Sequence, residues 1–186
     1  SAYEDVIDVP KPNKPNHNVD SYRPISLLSC MGKVLERMVN RRLSQELEDR
    51  NLLSSDQHAF RSGLGTETYF AKLDDTIQKS IDQDHHIDFA IIDISKAFDR
   101  TWRHSILSQL AFWGFGGRLT NFIDNFFTDR SFRVLIGNSV SNPYPLENGV
   151  PQGAILSPTL FFISIESLFC SIPYEIKPFV YVDDIL

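Results

Sequence analysis

The stretch Pro178-Phe179-Val180-Tyr181-Val182-Asp183-Asp184-Ile185-Leu186 sets two adjacent carboxylates inside an otherwise apolar run. Neither aspartate can be buried mid-strand without a partner, so the pair is expected at a hairpin tip, with a strand over 177–182 leading into it. A second apolar run, Ile87-Asp88-Phe89-Ala90-Ile91-Ile92-Asp93, is short and β-branched and also ends on an aspartate. It reads as a strand covered on both faces. If the two strands are neighbours in one sheet, Asp93, Asp183 and Asp184 converge on one point. Like charges at that range repel and raise one another's pKa, so the cluster is tolerable only with cations in it. Hard oxygen donors without nearby His or Cys favour Mg²⁺ over zinc.

Outward from these strands the chain alternates helical and extended signals. Pro10-Lys11-Pro12-Asn13-Lys14-Pro15-Asn16 is a loop, because each proline removes a donor and biases its predecessor to extended geometry. Met31, Val34, Leu35, Met38, Leu43 and Leu47 mark an amphipathic helix over 30–50 with Ser29 as its N-cap. A second helix follows Gly65, with Thr66 as the expected cap and Tyr69, Phe70, Leu73 and Ile77 on its buried face. Two more are expected around Ile106 to Ala111 and around Leu119 to Phe127, then a strand over 132–136, a turn at Gly137-Asn138 and a returning strand. A loop over 149–153 leads to an apolar helix over 156–169, with Pro158 tolerated in its first turn.

At 186 residues and 42% hydrophobic content, the chain can bury one good core or two small subdomains. No apolar stretch approaches the roughly 18 residues that span a bilayer, and the start lacks the build of a signal peptide, so no membrane partner is expected. Cys30 and Cys170 lie far apart in apolar contexts and are read as reduced core thiols, which points to an intracellular setting. A net charge of −6 is unlike a general nucleic-acid binder. The distribution is uneven: Asp74, Asp75, Asp82, Asp84, Asp88, Asp93 and Asp99 face only Lys79 and Lys96, whereas Arg23, Lys33, Arg37, Arg41 and Arg42 precede them with Glu36 alone. An acidic centre beside a basic segment suits chemistry on metals and phosphates, and a solvated helix face accounts for the basic run as well. The chain opens without Met and ends within an expected strand, so both ends are expected to be truncated.

Five segments, taken in order, carry a family resemblance. They are Tyr22-Arg23-Pro24-Ile25-Ser26-Leu27-Leu28, Gln57-His58-Ala59-Phe60-Arg61, Asp93-Ile94-Ser95-Lys96-Ala97-Phe98-Asp99, Gly149-Val150-Pro151-Gln152-Gly153-Ala154-Ile155-Leu156-Ser157-Pro158 and Tyr181-Val182-Asp183-Asp184. Together they resemble the ordered motifs of reverse transcriptases, especially those of non-LTR retrotransposons, from about Pro10 to the last residue. Two positions depart from the usual pattern: Ala59 stands where the class has Gly, and Val182 where it more often has Ala.

The resemblance implies an α/β (α+β) fold, with a fingers portion over 1–85 and a palm over 86–186 whose small antiparallel sheet packs on helices, and without a thumb. It implies an RNA-directed DNA polymerase that extends a DNA primer with dNTPs on an RNA template, the element's own RNA, by two-metal nucleotidyl transfer. Asp93, Asp183 and Asp184 would hold two Mg²⁺ ions, with Mn²⁺ as a possible substitute. Phe98 would be a steric gate against the ribose 2′-hydroxyl, and Gln152 and Ile94 would meet the incoming dNTP. Arg23, Lys33 and Arg61 would grip its triphosphate. Gly149, Pro151 and Gly153 would position template and primer, the glycines letting backbone approach substrate. Asp99 would only orient neighbours. The parent chain would carry an endonuclease domain and work in the nucleus or cytoplasm, and this fragment alone would be inactive. Alternatives are an intron-maturase type of reverse transcriptase and a non-catalytic RNA-binding descendant; loss of metal-binding carboxylates would mark the latter, and all three are retained.

Overall fold

In the computed structural model, which describes residues 3–15, 17–173 and 175–186, six α-helices and eight strands are found among the described residues. The helices are α1 (Cys30–Asp49), α2 (Thr66–Asp82), α3 (Ala97–Arg100), α4 (Arg103–Phe112), α5 (Arg118–Phe127) and α6 (Ser157–Phe169). The strands are β1 (Tyr3–Pro10), β2 (Tyr22–Leu27), β3 (Ile92–Asp93), β4 (Ser131–Ile136), β5 (Ser139–Val140), β6 (Tyr144–Pro145), β7 (Val180–Tyr181) and β8 (Asp184–Ile185).

α1 starts where Ser29 Oγ accepts from the Gly32 N–H at 3.0 Å, the cap that its sequence predicts. Only the second half of its apolar stripe is covered. Leu43 and Leu47 are fully buried, whereas Met31, Val34, Leu35 and Met38 are exposed; a 3.6-residue period locates a helix but does not say how much of its face a neighbour covers. α2 is capped at Gly65 rather than Thr66. There Thr68 Oγ1 accepts from the Gly65 N–H and donates to the Gly65 carbonyl, both at 2.9 Å. The core lies where Leu43 and Leu47 of α1 meet Ile106 and Leu110 of α4, Ile123 and Phe127 of α5, and Leu160 to Ile163 of α6.

β1, β2, β4, β5 and β6 form one mixed sheet in the order β2-β1-β4-β5, with β6 also on β4. β1 and β4 run parallel, and the sheet thus takes strands from both sides of residue 85. β1 has no counterpart among the sequence expectations. The turn between β4 and β5 falls at Gly137 as expected, with φ +59°. Of the loop expected over 10–16, Pro10 ends β1, and Asn16 lies outside the described residues, as does Ser1.

The second sheet is antiparallel, in the order β3-β8-β7. Its strands are shorter than the runs over 87–93 and 177–182 suggest, and Phe89, Ile91 and Ile92 are exposed rather than covered on both faces. An apolar run reports hydrophobicity; coverage needs neighbours, and β8 pairs with only two residues of this one. Cys30 and Cys170 are free thiols as expected, but both are exposed instead of in the core. No described helix is long and apolar enough to cross a membrane.

Candidate active site

β7 and β8 are joined by the two-residue turn Val182-Asp183, which pairs Tyr181 with Asp184 and Val180 with Ile185. On the other edge of β8, Asp93 lies directly opposite Asp184 and Ile92 opposite Ile185. Directly opposed residues of an antiparallel pair project to the same face with Cβ atoms about 4.5–5.5 Å apart, so Asp93 and Asp184 are side-by-side neighbours. Asp183 sits at the adjoining tip. Asp93 and Asp184 are exposed and Asp183 is half-buried.

Burial is the largest influence on the Asp183 carboxyl and raises its pKa, while its own backbone N–H opposes the rise. The charges of Asp184 and Asp93 add to the rise, and Arg23 counters it. The three carboxylates are therefore neighbours that act on one another's charge, without the convergence on one point that the sequence reading expects. Among the described residues no group of three His, Cys, Asp or Glu side chains is arranged to hold a metal ion. The donor chemistry, carboxylate oxygens alone, fits a hard divalent cation.

The hairpin is fixed by the segment that follows α1. Residues 56–58 run parallel to β7: the Val180 N–H donates to the Asp56 carbonyl at 3.1 Å and the His58 N–H to the Val180 carbonyl at 3.0 Å. Ala59 is buried with ordinary φ, and the left-handed residue of that segment is Phe60, at +52°, so alanine at position 59 meets no backbone obstacle. The sequence did not single out Gln57, whose buried side chain reaches Val182.

Beyond β3, the residues expected to meet substrate make their contacts within the chain. Phe98 is half-buried and stacks on Phe161 of α6, ring centroids 5.2 Å apart at 22°. Ile94 packs against the core beside it. The Phe98 carbonyl accepts from the Val150 N–H at 2.8 Å and the Thr101 carbonyl from the Gly149 N–H at 2.9 Å, which seats the loop over 149–153 on α3. Gln152 Nε2 donates to Asp99 Oδ1 at 2.8 Å. The close backbone approach at Gly149 and Gly153 is to the chain itself: a Cβ on Gly149 would lie 2.5 Å from the Asp99 carbonyl oxygen, and one on Gly153 3.0 Å from that of Ser26. Pro151 is buried, and its carbonyl accepts from Ser157 Oγ at 2.7 Å at the start of α6.

Two buried charges that sequence reasoning missed hold this loop. Arg103 donates to the carbonyls of Gly149, Phe127, Leu146 and Asn148, so one side chain gathers four main-chain acceptors. Glu36, on α1, accepts through Oε2 from the N–H groups of Ile155 (2.8 Å) and Leu156 (3.4 Å) at the start of α6. Their partners are main-chain groups more than 20 residues away, which no local pattern reveals.

Of the expected triphosphate ligands, Arg23 is exposed on β2 and acts on Asp183, and Lys33 is half-buried in the first turn of α1. Arg61 is committed elsewhere. It forms a bidentate pair with Glu48 (2.7 and 2.6 Å) and donates to the Ser54 and Gln57 carbonyls, tying the loop after α1 to the 57–61 segment.

The family model described as reverse transcriptase (RNA-dependent DNA polymerase) matches residues 9–186. Among curated proteins, the chain is 33% identical over 170 residues to the probable RNA-directed DNA polymerase from transposon BS of Drosophila melanogaster, covering 91% of this chain and 19% of that protein. It is 32% identical over 158 residues to the RNA-directed DNA polymerase from mobile element jockey of Drosophila funebris, covering 85% of this chain and 17% of the relative. The chain thus spans about a fifth of the length of these relatives. Among solved structures, apo telomerase from Candida tropicalis, truncated from its C-terminal domain, aligns with a TM-score of 0.61 at 12% identity, over 98% of this chain and 43% of that one, a likeness of fold. Five ordered motifs, a carboxylate hairpin paired with a third aspartate, and a family match across nearly the whole sequence agree: the chain belongs to the reverse transcriptase family.

Proposed function

We propose that the chain is the fingers portion (1–85) and palm (86–186) of a non-LTR retrotransposon's RNA-directed DNA polymerase, which extends a primer 3′-hydroxyl with dNTPs on an RNA template. The pairing of Asp93 with Asp184, beside Asp183 in the turn, is the observation that carries this reading. Asp93 and Asp183 would hold two Mg²⁺ ions together and Asp184 would support one of them, with Mn²⁺ able to substitute. When bound, such ions activate the attacking hydroxyl and stabilise the pyrophosphate that leaves.

The remaining roles belong to the chain's own side chains. Phe98, fixed against Phe161, excludes the ribose 2′-hydroxyl by clash. Gln152 and Ile94 border the nucleotide, and Arg23 and Lys33 meet its triphosphate. Residues 149–153, hydrogen-bonded to α3 and β2, position template and primer. The far greater length of the curated relatives is consistent with a parent chain that also carries an endonuclease.

The test is primer extension by the complete protein that carries this chain, with oligo(dT) on poly(rA), dTTP and Mg²⁺. Incorporation that is lost on Asp183→Ala supports the reading, and undiminished synthesis by that variant refutes the assignment of Asp183.

A further inference from the structure

Val182 has φ +62°, a conformation that β-branched residues rarely adopt, and it stands immediately before Asp183. Its main-chain polar groups are both taken by one side chain. The Val182 N–H donates to Gln57 Oε1 at 3.0 Å, and Gln57 Nε2 donates to the Val182 carbonyl at 3.1 Å. The amide thus pairs with the turn as a neighbouring peptide group would. Gln57 is 2% exposed, and its Oε1 also accepts from the Ala59 N–H at 3.0 Å. With two N–H groups aimed at one oxygen, the reversed amide would set donors against donors, so the orientation is fixed by the network.

We infer that Gln57 is a positioning residue for the catalytic hairpin: its amide holds Val182 in the left-handed conformation and so directs Asp183 toward Asp93 and Asp184. The inference rests on the reading of these aspartates as metal ligands. It concerns the side chain alone, because the main-chain pairing of residues 56–58 with β7 runs through Asp56, His58 and Val180 and survives a substitution at position 57. Groups that orient metal ligands without touching the metal commonly change its affinity 10- to 100-fold.

The decisive experiment combines kinetics with metal binding on the complete protein. Gln57→Met keeps the side-chain length and removes both bonds to Val182. It is expected to lower kcat about 100-fold with KM for dNTP within about threefold, and to weaken Mn²⁺ binding, followed by electron paramagnetic resonance without substrate, about tenfold. Glycine accepts positive φ without strain, so adding Gln57→Met to a Val182→Gly protein is expected to cost less than about tenfold in kcat. Gln57→Glu keeps an acceptor for the Val182 and Ala59 N–H groups and is expected to fall between wild type and Gln57→Met; it serves as the second variant should the methionine protein not fold. Equal losses with and without the Val182→Gly substitution, or wild-type kcat and Mn²⁺ affinity in the position-57 variants, would overturn the role. Failure of the unaltered protein to extend a primer would count against the polymerase reading instead, and the Mn²⁺ titration would still decide on Gln57: an affinity unmoved by its replacement overturns the inference.

Discussion

Gly149 stands so close to Asp99 that a Cβ built on it would lie 2.5 Å from the Asp99 carbonyl oxygen and 2.9 Å from its Cα. The contact is backbone on backbone, and neither partner is a flexible chain end that can yield. It joins the loop over 149–153 to the helix that follows Asp93. Gly149 also has φ +79°.

Gly149→Ala therefore combines a steric overlap with a strained backbone. The expected loss is about 2–4 kcal/mol of folding stability, read as a lowered denaturation midpoint by circular dichroism. A variant as stable as wild type would mean that the loop rides freely over α3.

Glu36 is expected to matter through its bonds to the N–H groups of Ile155 and Leu156, the two residues that lead into α6. Glu36→Ala leaves them without their acceptor in a buried place and should cost about 1–3 kcal/mol. Glu36→Gln keeps an acceptor oxygen and should cost less, and urea denaturation of the two variants checks the order.

His58 supplies a pH dependence. It is 5% exposed, its Nδ1 meets Thr68 Oγ1 at 2.9 Å, and its Nε2 has no hydrogen-bond partner among the described residues. Burial first, and then the charge of Lys72, hold its pKa below the ordinary histidine value, with Asp56 acting the other way and Arg61 adding to the depression. Above a pH of about 6.5 the ring is neutral in folded and unfolded chains, and it contributes no difference. As pH falls through that value the unfolded chain takes up the proton first, and stability is lost until the folded ring titrates as well. Thermal midpoints are expected to drop between pH 7.5 and 5, and His58→Gln should flatten that drop; an unchanged slope would remove His58 from the account.

If Phe98 is the proposed gate, Phe98→Ala is expected to admit ribonucleotides in primer extension. It also removes the stack on Phe161 and should cost about 1–3 kcal/mol. A variant that loses stability yet stays as strict against ribonucleotides as wild type would assign Phe98 to packing alone.

Much of this arrangement was legible from local chemistry. Ser29 as a cap, Pro158 in a first helical turn and the Gly137 turn each follow from what one residue type can do in one conformation, and so does the hairpin, although its turn is Val182-Asp183 and Asp184 already belongs to β8. The pairing of Asp93 with the hairpin needed an assumption of adjacency that periodicity could not supply. What stayed hidden depends on contacts across long separations: Glu36 at the start of α6, Arg103 among four carbonyls, Arg61 locked to Glu48, and the amide of Gln57 on Val182. Coverage was misjudged for the same reason. Met31 to Met38 and Ile91 have the hydrophobicity of buried residues, but burial is a property of the neighbour as much as of the side chain.

The most direct test of the shared carboxylate site is Fe²⁺-mediated backbone cleavage of the complete protein, with Mg²⁺ as competitor. Cuts near residue 93 and near residues 183–184 are expected to appear together, to fade together as Mg²⁺ is added, and to vanish together in Asp183→Ala. Cleavage at one location that is indifferent to the other aspartates would contradict a site built from all three.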